Sequence, residues 1–97
     1  MAKLGKVSVI FRKARYQDGT EEIIAFFCDK PATYGNILSY VHIGQHCEIS
    51  LEFYRDTKPA TEKEYAELFS EITSIYDDCE LVVRKRINYN ALLENWR

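Results

Sequence analysis

Thr61 stands three residues before Glu64, and the segment that follows carries Tyr65, Leu68, Phe69, Ile72, Ile75 and Tyr76 at helical spacing. The Thr61 hydroxyl and the Glu64 carboxylate can each satisfy a backbone N–H left free at a helix start, and Glu62 and Glu64 complement the dipole there. The pattern predicts a helix from Thr61 to Tyr76 with a single apolar stripe. Lys63, Glu64, Glu67, Ser70 and Glu71 fall largely on its other side. Such a stripe needs a layer to bury against, and most of the remaining chain reads as strands.

Lys6 to Lys13 alternates, with Val7, Val9 and Phe11 on one face and Ser8, Ile10 and Arg12 on the other. Asp18-Gly19 then supplies a tight turn, and Glu21 to Cys28 is a nearly continuous apolar run of strand length. Pro31 and Gly35-Asn36 break the chain before Ile37. Ile37 to Arg55 is too long for one flat strand, so Gly44-Gln45 marks a bulge or a turn between two strands. In its second half Ile49, Leu51 and Phe53 are expected to share a strand face. After Asp77-Asp78, Glu80 to Ile87 reads as a further strand, and Asn88-Tyr89-Asn90 starts a short terminal helix packing Leu92, Leu93 and Trp96. The expected fold is a single α+β domain over residues 1–97, an antiparallel sheet of four or five strands packed by one main helix, with a short C-terminal helix. One sheet face is then free to meet a second copy or another protein, unless the terminal helix covers it.

Apolar residues at 46% and charged residues at 29% place the chain among globular domains rather than disordered ones. A net charge of -2 argues against bulk electrostatic binding of a polyanion and leaves only a local basic patch. The longest apolar run, Ile23 to Cys28, is too short to cross a bilayer, so no membrane partner is expected. Met1 to Lys6 lack the apolar core and cleavage site of a secretory signal, which predicts a cytoplasmic location. Cys28, Cys47 and Cys79 are odd in number and scattered, and read as free thiols serving as small core residues.

His42, His46 and Cys47 form the one cluster with side chains suited to zinc. On extended chain the two histidines stand roughly 13 Å apart at about 3.3 Å per residue, so a metal site requires a turn at Gly44-Gln45 and a distant further ligand such as Cys28 or Cys79. Histidines hydrogen-bonded beside a bulge need no further ligand. A thiol activated by His46 is opposed by adjacency, since neighbours on a strand face opposite ways. No Ser-His-Asp set, phosphate-binding glycine loop or paired-carboxylate motif appears in the spacing, so no cofactor and no enzymatic activity is expected.

Arg12, Lys13, Arg84 and Arg86 are the candidate nucleic-acid contacts. If the first and last strands are neighbours these bases form a patch, and Tyr16, Tyr40, Tyr54 and Tyr89 add stacking surfaces. The alternative is that they solubilise an exposed face or protect a sheet edge.

Tyr40-Val41-His42-Ile43-Gly44-Gln45-His46, with Thr57-Lys58-Pro59-Ala60-Thr61 and Glu64-Tyr65, resembles a group of small uncharacterised proteins of bacteria and their phages or mobile elements. The resemblance covers Tyr40 to Tyr65, implies a bacterial or mobile-element setting, and transfers no catalytic or binding residue. The leading expectation is a non-enzymatic cytosolic domain with a protein partner or self-association. A nucleic-acid-binding module and a metal site at His42, His46 and Cys47 are the alternatives.

Overall fold

β1 (Gly5–Arg15) and β2 (Glu21–Phe27) form the antiparallel hairpin that Asp18-Gly19 predicts. Gly19 sits at φ +88°, and the Asp18 carboxylate fixes the turn by accepting from the backbone N–H (3.0 Å) and hydroxyl (2.7 Å) of Thr20. These features come from a computed structural model that describes residues 5–28, 30, 32–41 and 45–96. Gly35 at φ +85° turns the chain into β3 (Asn36–Val41), and β4 (Gln45–Ser50) returns beside it with Tyr40 opposite His46 and Ser39 opposite Cys47. The expected bulge or turn at Gly44 lies outside the described residues.

Leu51 to Arg55 is not a strand. It forms a short helix, α1 (Leu51–Arg55), because the Ser50 side chain accepts from the Phe53 N–H at 3.1 Å as an N-cap, with Glu52 in the first turn and Arg55 in the last. Pairing with β3 ends at Asn36 opposite Ser50, so residues beyond Ser50 have no strand of β3 to follow. β5 (Lys58–Pro59) then leads into α2 (Glu62–Ile75), whose capping box is formed as predicted: Thr61 N–H donates to Glu64 at 2.9 Å and Glu64 N–H to the Thr61 hydroxyl at 3.3 Å. β6 (Cys79–Arg84) and α3 (Tyr89–Asn95) complete the chain, with the Asn88 side chain accepting from Ala91 N–H at 3.2 Å.

The strands join one six-stranded sheet in which β4, β3, β2, β1 and β5 follow one another antiparallel, and β6 pairs parallel with β1. Ile10 pairs with both Phe26 of β2 and Arg84 of β6, while Arg12 and Lys13 pair with both β2 and β5. A strand residue has only two sides, so β5 and β6 share the side of β1 that faces away from β2. The parallel sense follows from α2, which runs from Lys13, where Glu64 lies, toward the end at which β1 begins. The chain reverses at Asp77-Asp78 and returns with Cys79 opposite Gly5. β6 stops at Arg84, short of the expected Ile87, because the next β1 carbonyl, that of Phe11, already accepts from Ala60 N–H at 3.1 Å.

Both faces of the sheet are covered. On the first, Val7, Val9, Phe11, Ala25, Phe27 and Tyr40 pack under Leu68 and Ile72 of α2. Full burial of a Val, Leu, Ile or Phe side chain in this set is worth roughly 1.5–3 kcal/mol. Tyr65 stacks on Phe11 at 4.3 Å between ring centroids, whereas Ile75, expected in the stripe, is 46% exposed. On the second face Ile10, Ile24, Phe26 and Ile37 meet Tyr54 of α1 and Leu92 of α3. Trp96 closes this side by donating from Nε1 to the Asn36 carbonyl at 2.7 Å. Leu93 does not join it and is 51% exposed. Of the two alternatives for the second face, a partner or the terminal helix, the structure has α3 cover it, together with α1.

Candidate functional site

The two strands on the outer side of β1 leave a notch between them. β5 occupies Arg12 and Lys13, β6 occupies Gly5 to Ile10, and a cleft of about 450 Å³ opens where they part, lined by Phe11, Arg12, Thr61, Tyr65, Val83 and Lys85 among others. A second cleft of about 340 Å³ lies on the α3 side of β6, lined by Ser8, Ile10, Arg84, Arg86 and Asn88 among others. Arg84 borders both.

The four basic candidates have three different fates. Arg12 is half-buried: its Nε donates to the Thr57 hydroxyl at 2.9 Å, its Nη2 to the Thr57 carbonyl, and its guanidinium lies 4.8 Å from the Tyr54 ring centroid. Its fork is spent on holding the α1–β5 connection. Lys13, one residue on, faces α2 and pairs with Glu64 at 2.6 Å and Glu21 at 4.0 Å. The hydrogen bond from Lys13 and that from the Thr61 backbone hold the Glu64 carboxyl down to about 2, and the Glu64 hydrogen bond raises Lys13. Arg84 and Arg86, with Lys85 between them, are exposed and make no ion pair with any described residue. Arg12 meets Arg84 and Lys85 in the lining of the larger cleft, but its guanidinium is engaged by Thr57 and Lys13 faces α2, so the charge not engaged by these contacts is the run Arg84 to Arg86 at the end of β6.

His46 and Cys47 point to opposite faces of β4. His46 Nε2 lies 2.8 Å from the Tyr76 hydroxyl, and its ring meets Tyr40 edge-on at 5.1 Å. Tyr40 is buried, and its hydroxyl bonds the Glu71 carboxylate, which together with burial pushes the phenol up to about 12. Burial raises the Cys47 thiol, and Glu22 pushes the same way, which opposes thiolate formation. His42 lies outside the described residues. Among the described residues no three His, Cys, Asp or Glu side chains are grouped to hold a metal ion. None of the three cysteines is in a disulfide, with Cys28 buried and Cys47 and Cys79 half-buried. No described helix is long and apolar enough to cross a membrane.

Two features escape a reading by local pattern. One is the role of Thr57, which lies 45 residues from Arg12 and carries no signal of its own. The other is the position of β6 at a sheet border, where only one of its sides is paired among the described residues. The charge run flanking it is visible in the sequence: Asp77, Asp78 and Glu80 at its start, Arg84, Lys85 and Arg86 at its end. No protein-family model, curated protein or solved structure matches the chain.

Proposed function

We propose that this chain is a non-enzymatic, cytosolic protein-interaction domain that binds by strand addition at the open side of β6. The observation that supports the reading is a six-residue border strand with one side unpaired among the described residues, on a sheet whose faces are both already covered. A border strand presents a row of unused N–H and C=O groups, and adding an extended segment there satisfies them. Leu81 and Val82 are half-buried and Val83 is 39% exposed, so apolar side chains accompany those groups. Binding of nucleic acid is less well supported, since Arg12 and Lys13 are engaged within the domain. A bacterial or mobile-element setting accords with the resemblance of Tyr40 to Tyr65.

The test is a photocrosslinking amino acid placed at Val83, with an equivalent placement at exposed Glu67 on α2 as the control, in the cells from which the chain comes. Protein adducts from position 83 and not from position 67 are expected. Adducts equal at both positions, or none at 83, overturn the reading, and adducts to nucleic acid at 83 transfer it to the basic run.

A further inference from the structure

We infer that the partner at the β6 border is a second copy of this chain, added antiparallel about a two-fold axis through Val82, so that two sheets become one continuous sheet. The inference rests on the strand-addition reading above and adds the identity and register of the partner.

Its basis is the polarity of charge along the strand. Acidic Asp77, Asp78 and Glu80 precede or open β6 and basic Arg84, Lys85 and Arg86 close or follow it, with Leu81, Val82 and Val83 between them. A copy added parallel would set like charge beside like charge at both ends. A copy added antiparallel sets each acidic end against a basic end, with apolar residues in the centre. The Glu80 side chain is 56% exposed and its one ion pair among the described residues, with exposed Lys6, spans 4.0 Å, so it remains accessible to a new partner.

Sheet geometry then restricts the register. Alternate residues of a border strand turn their N–H and C=O outward, and residues opposite each other in an antiparallel pair must both do so or both not do so. For a strand paired with itself, the axis must therefore pass through a residue rather than between two. Through Leu81, it would set Glu80 opposite Val82. Through Val83, it would set Val82 opposite Arg84. Through Val82, it sets Glu80 opposite Arg84 of the second copy and Leu81 opposite its Val83, matching charge with charge and apolar with apolar. The faces agree as well. Glu80, Val82 and Arg84 lie beside Lys6, Ser8 and Ile10, while Leu81 and Val83 lie beside Val7 and Val9. The other border strand, β4, has no such polarity, with Glu48 as its sole acid and no Lys or Arg.

The experiment is sedimentation equilibrium of the purified full chain over a range of concentrations. A dimer that weakens as salt rises is expected. Two charge-reversal variants, Glu80→Arg with Asp78→Arg and Arg84→Glu with Arg86→Glu, should each weaken it on the order of 100-fold. Mixed in equal amounts, the two should form a heterodimer, which a misfolded variant would not. In a Cys47→Ser, Cys79→Ser background, Val82→Cys should oxidise to a covalent dimer, since opposite residues lie within disulfide reach, and Val83→Cys should not. A wild-type chain that stays monomeric overturns the inference, as do variants that dimerise unchanged, a mixture that does not recover, or crosslinking at 83 and not at 82. If the chain is monomeric while the crosslinker at Val83 captures a different protein, self-pairing fails and the interaction reading stands. If it captures none, both fail.

Discussion

Replacing Arg12 with Met tests whether that side chain belongs to the fold or to a binding surface. The substitution keeps most of the aliphatic stem and removes the donors that serve the Thr57 hydroxyl and carbonyl, together with the cation over Tyr54. A hydrogen bond from a charged donor contributes about 1.5–3 kcal/mol when well shielded, and a cation over a ring adds about 0.5–1 kcal/mol near a surface. Arg12 is only half-buried, and water can re-solvate the Thr57 carbonyl in the variant. The Thr57 hydroxyl also keeps its own bond to the Tyr54 carbonyl at 2.5 Å. Counting one shielded bond and the ring contact gives a loss of about 2 kcal/mol, which lowers the melting temperature by roughly 8–16 °C in a domain of this size. Urea unfolding of the wild type, Arg12→Met, Thr57→Val and the double variant measures the coupling, expected at about 1–2 kcal/mol. Stability within about 0.5 kcal/mol of wild type, together with loss of salt-sensitive binding to single-stranded or duplex probes, would refute the structural assignment and return Arg12 to the candidate nucleic-acid contacts.

Glu64 has a depressed pKa, so the stability it supplies is present above its ordinary value of 4.5 and is lost as pH falls toward about 2. The urea midpoint of the wild type should therefore drop more steeply between about pH 5 and 2.5 than that of Glu64→Gln, and parallel curves would contradict the Lys13–Glu64 assignment. Ile72 is fully buried in the first core, and Ile72→Ala should cost about 2–5 kcal/mol in denaturant unfolding. On α3, Leu92→Ala should cost about 2–5 kcal/mol while Leu93→Ala stays within about 0.5 kcal/mol; equal costs would mean that the helix presents a different side to the second core.

What the sequence discloses here depends on how far apart the interacting groups lie. The start of α2 is legible because Thr61 and Glu64 complete their reciprocal bonds within one turn, and the Asp18-Gly19 hairpin is legible for the same reason. α1 is misleading: Ile49, Leu51 and Phe53 alternate as a strand would, and five residues are too few for a helical period to outweigh that alternation, although Ser50 followed by Glu52 is a cap signal. The opposite fates of Arg12 and Lys13 follow from strand alternation alone, yet their partners, Thr57 and Glu64, are set by tertiary pairing.

The border position of β6 is the least local property, and it decides what the basic run can do. β5 and β6 compete for one side of an eleven-residue strand, and both fit because each is short. β5 is short because the chain must reach Thr61 in time to cap α2: Ala60 makes the last bond to β1, and Thr61 already accepts from Glu64. A longer β5 would run on past Ile10, occupy the side of β1 that β6 uses, and cover the chain's charge-polar strand or displace it. The capping box therefore does more than begin a helix, for by ending β5 at Pro59 it leaves the Gly5–Ile10 half of β1 to β6. That makes β6 the outermost strand beside this half of β1, where the charge order from Asp78 before it to Arg86 after it can meet a partner.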